Sequence, residues 1–380
     1  MKNKPKTLIF IDWFYPAHKA GGPIRSVYNI VQALAKDMDT YIVTSAYDIG
    51  DVSPLSNIVI DEWIKKEAYS ILYLDRHNQN WKKYKSILNT IQPDVVYLNS
   101  LFSLCFTIKP LLSIHRNSHI KVVLAPRGML KPDALAIKSL KKQIFLLALK
   151  TSKYLKNIIW HASSEVEKQE VCQYFGKSAN VMVAQNISSD IPLRPINTIK
   201  KESGSLKLIF FSRINPIKNL DFLLNVLAQL KNPNVNLDIY GPIEDVSYWR
   251  ACIQFIKHNL LNVNYKGVLN QGEKEKILWQ YDFLILPTKG ENFGHVIAES
   301  LSASLPVIIS QNTPWRNLQL SNSGYDLPLK IDKFEEVIKQ LVLLDHDAYL
   351  AYSNGAKAYS EKFILNKNII KDNKKLFIND

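Results

Sequence analysis

Two short stretches hold residues whose types and spacing suit chemistry on a charged, hydroxyl-rich ligand. The first is "GENFGHVIAESL", residues 290–301, in which Glu291 and Glu299 lie eight positions apart. It follows the apolar run "DFLILPT" and so reads as a strand, a turn and the start of a helix. The backbone N–H groups of Asn292, Phe293, Gly294 and His295 would be the donors of that helix N-terminus, which suits a phosphate or a sugar hydroxyl. Gly294 lets a ligand approach the backbone closely. His295 and Glu299, four apart, share one helix face, and Glu291 reaches the same place from the loop. A carboxylate accepts two hydroxyl hydrogen bonds at once, which is what a diol offers.

The second stretch is "RINPIKNLDFLL", residues 213–224, after the apolar run "LKLIFFS". Arg213 and Lys218 flank a turn, and Asn219 is placed to cap the next helix. Two cations on one loop at a strand end suit a diphosphate that gains negative charge as a bond breaks. Singly, each carboxylate could merely complement a helix dipole and each cation merely be solvated. All four at strand ends in one half of the chain favour a ligand.

The elements that must position them recur along the chain. "TLIFID", "TYIVTS", "DVVYLN", "IKVVLAP", "NIIWHA" and "NVMVAQ" are strand candidates in the first half, with helical stretches such as Ile24–Lys36 and Trp81–Ile91 between them. The second half repeats the scheme with "LKLIFFS", "VNLDIY", "NVNYKG", "DFLILP" and "LPVIIS", and with helices Leu220–Leu230, Trp249–His258 and Val296–Ser304. Buried apolar strands alternating with helices predict doubly wound parallel α/β sheets, and two such series in 380 residues predict two domains. The expected boundaries are 1–190 for the first domain, 191–205 for a Ser-, Pro- and Lys-rich linker, and 206–362 for the second domain. A terminal helix over 363–380 is placed to pack back on the first domain.

The net charge of +14 is uneven: residues 1–190 carry 25 Lys/Arg against 15 Asp/Glu, and residues 191–380 carry 23 against 19. The excess in the first half points to an anionic partner there, a lipid surface or a phosphate-bearing substrate. Nucleic acid is excluded as a partner, because no recognition motif or interleaved aromatic pattern accompanies the basic residues. The segment Lys138–Lys156 places six lysines around an apolar core, an amphipathic helix that would meet an anionic membrane with Ile144, Phe145 and Leu147 toward the acyl chains. Cys105, Cys172 and Cys252 match no zinc or redox spacing and read as small apolar side chains. The apolar run Leu8 to Ile11 is cut by Asp12 and is too short for a signal peptide, so a cytoplasmic protein is expected, peripheral to the membrane's inner face if the basic segment docks.

Arg-x4-Lys-Asn followed some seventy residues later by Glu-x7-Glu resembles the C-terminal domain of the retaining glycosyltransferases of family four, which have the GT-B fold. "HKAGGPIRSVYNIVQAL" is similar to that family's glycine-rich loop and first helix, and "APRGML" with "HASSEVEKQ" fits its bacterial surface-polysaccharide branch, so the likeness covers residues 7–310. The resemblance implies two Rossmann-like domains facing across a cleft. It implies transfer of a sugar from a nucleoside-diphosphate donor to a hydroxyl of a lipid-linked oligosaccharide, as in O-antigen, lipopolysaccharide or exopolysaccharide synthesis. Arg213 and Lys218 would hold and stabilise the departing diphosphate, Glu299 the ribose, and Glu291 with Asn292–Gly294 the transferred sugar. Gly21 and Gly22 would let the first domain's loop close over the diphosphate. The leaving phosphate itself would take the acceptor's proton, and no metal or cofactor is implied. Two departures stand out: Arg127 occupies the place where many relatives carry a histidine near the reacting sugar, and "AQNISS" replaces a Pro-Asn-Gly turn, with Asn186 keeping part of it. A guanidinium cannot act as a base at neutral pH but can bind a phosphate or hydroxyl.

Four further residues are candidates for contacts. His161, at a strand end, would face the cleft, and His18 stands beside the glycine loop. Ser164 with Glu167 reads as a capping box rather than an acceptor contact. The alternatives to a transferase are a GT-B nucleotide-sugar epimerase and a catalytically degenerate nucleotide-sugar-binding protein. The intact Arg213, Lys218, Glu291 and Glu299 argue against both.

Overall fold

The apolar run after Lys6 forms strand β1 (Lys6–Ile11), all of it buried beyond its first residue. Its side chains alternate between two cores, Leu8 and Phe10 on one face of a sheet and Ile9 and Ile11 on the other. A strand buried on both faces needs helices on both, which the alternation of elements supplies. The computed structural model describes residues 4–114, 119–131, 135, 139–152, 158–189, 201–269 and 273–378. The chain divides into two compact units, residues 1–187 with 367–380, and residues 188–366.

In the first unit β1 is joined by β2 (Asp39–Ser45), β3 (Trp63–Lys65), β4 (Ser70–Leu74), β5 (Val95–Asn99), β6 (Lys121–Ala125), β7 (Ile158–Ala162) and β8 (Val181–Val183). The order across the sheet is β3-β4-β2-β1-β5-β6-β7-β8, and every pairing is parallel except β3 on β4. The expectation of a wholly parallel sheet is corrected at that edge. β3 and β4 were not anticipated, because β4 has neither a β-branched run nor a period-two pattern. Ile11, Asn99 and Ala125 are register partners, so the carboxyl ends of β1, β5 and β6 are level. Slipping any of these strands by one residue would exchange its two buried faces, and each large apolar side chain so fixed contributes about 1.5–3 kcal/mol.

Helices α1 (Gly22–Ala33), α2 (Trp81–Ile91), α3 (Lys109–Ser113), α4 (Ser139–Thr151) and α5 (Glu165–Phe175) connect these strands. Asn80 caps α2, its side chain accepting the Lys83 N–H at 3.0 Å. On one sheet face α1 packs through Ile24, Val27, Ile30 and Val31 beside the chain's last helix, Lys367–Phe377, which inserts Ile369, Leu376 and Phe377. Asn373 of that helix is fully buried and donates to the Gln185 carbonyl at 2.8 Å. On the other face α2, α3, α4 and α5 cover Phe10, Leu98 and Leu124.

The second unit has six parallel strands in the order β11-β10-β9-β12-β13-β14: β9 (Leu206–Phe211), β10 (Val235–Tyr240), β11 (Val263–Gly267), β12 (Phe283–Leu286), β13 (Val307–Ser310) and β14 (Gly324–Leu327). β14 was not anticipated, being four residues opened by a glycine. Its helices are α6 (Leu220–Leu230), α7 (Val246–His258), α8 (Lys274–Leu278), α9 (His295–Ser302), α10 (Ile331–Val342) and α11 (His346–Phe363). Lys201 ties the unit's beginning to the end of α10, its buried ammonium donating to the carbonyls of Glu202 at 2.8 Å and Leu344 at 3.2 Å. Burial depresses its pKa. Residues 191–200 of the expected linker lie outside the described residues, and the terminal helix expected from 363 begins at Lys367. No helix among the described residues is long and apolar enough to cross a membrane.

Candidate active site

In an open parallel sheet ligands bind beyond the carboxyl ends of the strands, and the second unit brings both motif loops to that edge, after β9 and after β12. The loops are tied directly: Lys289 N–H donates to the Ile217 carbonyl at 2.8 Å, and the Thr288 hydroxyl donates to the same oxygen at 3.1 Å. Lys218, 9% exposed, pairs its ammonium with the carboxylate of Glu291. The residue that shapes the cation loop is Asn215, whose Oδ1 accepts the N–H of Ile217 at 3.1 Å and of Lys218 at 3.2 Å.

Arg213 is held by Glu244 at 2.8 Å, and Glu244 also accepts from the Asn215 amide at 2.7 Å. This contact depends on Gly241, which has φ of 134° and in which a Cβ would stand 1.9 Å from the Ser212 carbonyl oxygen. Only glycine lets the two loops meet there. Asn215 and Glu244 carried no signal in the sequence beyond their place on loops after strands. Asn219 corrects an expectation. It is left-handed at φ 62° and makes no side-chain cap to α6; its amide instead donates to the Pro287 carbonyl at 3.0 Å, fastening α6 to the end of β12.

The start of α9 is built around Gly294 at φ 78°, where a Cβ would stand 2.9 Å from the Ile297 side chain. The Phe293 ring is buried against His295 and Trp315, and its carbonyl accepts the Trp315 indole N–H at 2.5 Å. Phe293 and His295 therefore shape the turn from inside, and what they and Gly294 offer a ligand is the backbone N–H array at the head of the helix. Glu291 is fixed by its own N–H, which donates to Asn312 at 3.0 Å. Glu299 lies one turn into α9, 1% exposed, paired with the ammonium of Lys274. Arg213, Lys218, Glu291, Asn292–His295 and Glu299 thus all lie around the carboxyl edge of one sheet.

The first unit holds the remaining candidates in a different setting. Arg127, half-buried just beyond β6 and left-handed at φ 56°, donates to Asn99 Oδ1 at 2.6 Å, Asn186 Oδ1 at 2.6 Å and the Tyr97 hydroxyl at 2.7 Å. His161 is 1% exposed, and both ring nitrogens are engaged, Nδ1 with the Tyr97 hydroxyl and Nε2 with the Ala184 carbonyl, each at 2.8 Å. The expectation that His161 faces open space is corrected: it lies inside β7. A carbonyl only accepts, so Nε2 carries the proton and Nδ1 accepts from the tyrosine. Burial, with the nearby Arg127 charge, pushes the imidazole pKa down to about 3, and burial pushes the Tyr97 phenol up to about 12.

Ser164 caps α5 through the Glu167 N–H at 3.2 Å, yet the Glu167 carboxylate does not complete a capping box. One oxygen accepts the Gly128 N–H at 2.6 Å and the other accepts both the N–H and the hydroxyl of Ser163 at 2.7 Å, so Glu167 fixes the backbone beside Arg127. In the glycine-rich loop Gly21 is left-handed at φ 66° and Gly22 opens α1. Asp48, buried, accepts the N–H groups of His18 at 2.9 Å and Lys19 at 3.2 Å, while the His18 ring stays largely exposed. Asp12 stands past the end of β1 at the switch point between β1 and β5, accepting from the Ser103 hydroxyl at 2.5 Å; burial raises its pKa to about 6. The sequence marked Asp12 only as the end of an apolar run.

Of the basic segment, Lys138 and residues 153–156 lie outside the described residues. On α4, Leu140, Ile144 and Leu147 are exposed, but Phe145 packs edge-on against Phe102 at 5.5 Å, which corrects its expected outward position.

Residues 195–358 match the family described as glycosyl transferases group 1. The chain is similar over its whole length to two solved structures. One is Anabaena Alr3699/HepE in complex with UDP and glucose, 16% identical, with 98% of each chain covered and a TM-score of 0.72. The other is WaaG, a glycosyltransferase involved in lipopolysaccharide biosynthesis, 13% identical, with 98% of this chain and 100% of that one covered and a TM-score of 0.64. An uncharacterized 41.2 kDa protein in the cps region of Klebsiella pneumoniae is 29% identical over 113 residues, which are 30% of this chain and 29% of that protein. The chain thus matches group 1 glycosyl transferases over residues 195–358 and has the GT-B fold of its structural neighbours.

Proposed function

We propose that the chain is a retaining glycosyltransferase that moves a sugar from a nucleoside-diphosphate donor to a hydroxyl of a lipid-linked oligosaccharide in the building of a bacterial surface polysaccharide. The observation that carries this reading is the meeting of the two motif loops, with Lys218 paired to Glu291 and Arg213 beside them at one carboxyl edge. A diphosphate bound there exchanges with the carboxylates for the two cations. As the sugar–phosphate bond lengthens, negative charge grows on the bridging oxygen, and Arg213 and Lys218 answer it. Glu291, released from Lys218, holds hydroxyls of the transferred sugar in this reading, and Glu299 holds those of the ribose. The departing phosphate takes the acceptor's proton on the face it leaves, so the anomeric configuration is kept. UDP and glucose in the Anabaena relative support a nucleotide-sugar donor, and the cps-region relative supports a polysaccharide product.

The exposed Leu140, Ile144 and Leu147 with Lys142 and Lys150 on α4 support docking of the first unit on an anionic membrane, where a lipid-linked acceptor is held. The test is to offer purified protein a panel of nucleotide sugars with a lipid extract and follow product by proton NMR. An axial-to-axial outcome from an α-linked donor is expected. A product of opposite configuration overturns retention, and no turnover of any donor, even to water, overturns the transferase reading.

A further inference from the structure

Three cations stand with carboxylate partners at the carboxyl edge of the second unit, and the phosphate chemistry just described uses two of them. The third pair, Lys274 with Glu299, has no part in it. Lys274 opens α8 and is 6% exposed; its ammonium pairs with Glu299 and lies 4.9 Å from the ring centroid of Phe211, the last residue of β9, two positions before Arg213. Both charges are withdrawn from water beside the core residues Ile297, Ala298 and Leu301. Apolar side chains of similar volume would commonly serve such a place as well, so a buried pair of this kind is weakly explained by stability. It is well explained by a ligand that needs the carboxylate.

Glu299 has two oxygens in distinct settings. Oε2 faces the Lys274 ammonium, and Oε1 has the Ser189 hydroxyl at 3.5 Å, the outer limit of a hydrogen bond. A carboxyl buried without a cation tends to take up a proton and lose part of its accepting capacity. A carboxylate paired with an ammonium stays an acceptor and keeps one orientation. On the reading that Glu299 receives the ribose of the donor, we propose that Lys274 is the positioning residue for nucleotide binding: its ammonium keeps Glu299 ionised and aims it at the ribose diol. Lys274 acts through Glu299 and does not itself touch the nucleotide.

The experiment titrates UDP, GDP and ADP into the full chain by calorimetry and carries forward whichever binds tightest. Lys274→Met weakens that nucleotide by at least about tenfold, as expected when one partner of a buried charge pair is cut away. Lys274→Arg, which keeps the charge, recovers most of the loss. Glu299→Gln and the double variant Lys274→Met with Glu299→Gln bind alike, because the lysine has nothing left to position. In steady-state donor hydrolysis the loss falls on KM and leaves kcat near its original value. Wild-type affinity in Lys274→Met overturns the proposal, and so does a double variant far weaker than Glu299→Gln alone, which would make Lys274 a direct ligand. Should Lys274→Met not fold, the double variant and Lys274→Arg decide by the same comparisons. If the wild type binds none of the three nucleotides, the nucleotide-site reading itself fails and this proposal falls with it.

Discussion

The two units carry polar side chains at the same edge of the same kind of sheet, yet hold them by different physics. In the second unit three cations near that edge are matched to carboxylates: Arg213 to Glu244, Lys218 to Glu291 and Lys274 to Glu299. In the first unit Arg127 is matched to two amides and a phenol, and the carboxylates Asp48 and Glu167 are occupied by backbone N–H groups. An ion pair can be exchanged for a ligand's own charge, because a phosphate offers the cation as much as the carboxylate did. A cation held by several neutral acceptors at once has its donors already shared out, and such a set of bonds holds the residue's position. On the proposed reading the ion pairs of Arg213 and Lys218 are the ones that trade partners, while the contacts of Arg127 stay as they are.

The sharpest way to break this contrast is to remove the exchangeable cations. Arg213→Ala and Lys218→Ala should each lower turnover by about a hundredfold or more, the 2.7–4 kcal/mol typical of losing one preorganised stabiliser of developing charge. The loss should appear in kcat more than in donor affinity, since the charge is needed most as the phosphate departs. Steady-state kinetics with calorimetric nucleotide binding checks this. Near-normal turnover in both variants would show that these cations do not serve the leaving group.

The converse variant is Arg127→Met. It leaves the oxygens of Tyr97, Asn99 and Asn186 without their charged donor, and hydrogen bonds to charged groups are worth about 1.5–3 kcal/mol. The first unit should therefore lose stability of that order in thermal unfolding while nucleotide binding by the second is kept. Weaker nucleotide binding with unchanged unfolding would mean that Arg127 serves a ligand before it serves the network.

The same contrast governs what could be read in advance. Glu291, Glu299, Arg213 and Lys218 were legible because each motif is contiguous and follows an apolar strand, so sequence order alone delivers it to a sheet's carboxyl edge. Their partners were not. Glu244 comes from another loop and Lys274 from the start of α8, 31 residues after Arg213 and 25 before Glu299, and nothing local marks a lysine as one that will be buried. Asn219 was misread because a left-handed backbone turns its amide away from the helix that it precedes. His161 was misread because a strand end in sequence was still inside the sheet in space. The strands missed, β3, β4 and β14, are three to five residues long and lack the alternation or β-branched run that identifies a strand.

A subtler test of the first unit uses its two shifted groups. His161, with a folded pKa of about 3 against an ordinary 6.5, refuses a proton that the unfolded chain takes; its contribution is complete above pH 6.5 and is lost as the pH falls toward 3. Asp12, at about 6 against 3.8, does the reverse: between those values the folded state binds the extra proton, so stability falls as the pH rises. The two slopes oppose each other from about pH 4 to pH 6. Asp12→Asn should unmask the histidine, so that stability relative to wild type climbs by about 1.4 kcal/mol per pH unit across that window. Urea unfolding of both proteins at several pH values reads this directly, and a flat difference would show that Asp12 does not titrate there.

The smallest expected effect separates the outer surfaces of the units rather than their edges. Lys142 and Lys150 lie on α4 with the exposed Leu140, Ile144 and Leu147, within the half of the chain that carries 25 Lys/Arg against 15 Asp/Glu. A lysine near an anionic bilayer contributes about 1 kcal/mol, roughly a fivefold change in partition, and the contribution fades as salt shortens the Debye length. Lys142→Gln and Lys150→Gln should each weaken binding to phosphatidylserine-containing vesicles by about that amount at low salt, and by less at physiological salt. Lys257→Gln, an exposed lysine at the end of α7 in the second unit, should leave binding unchanged. Ile144→Ser should weaken binding at any salt, because the loss of an inserted apolar side chain is not screened. If Lys257→Gln weakened binding as much as Lys142→Gln, attraction would follow the net charge of the whole chain, and α4 would have no special role. If Ile144→Ser had no effect while the lysines did, the helix would rest on the headgroups without inserting. Cosedimentation of the four variants at two salt concentrations distinguishes these outcomes.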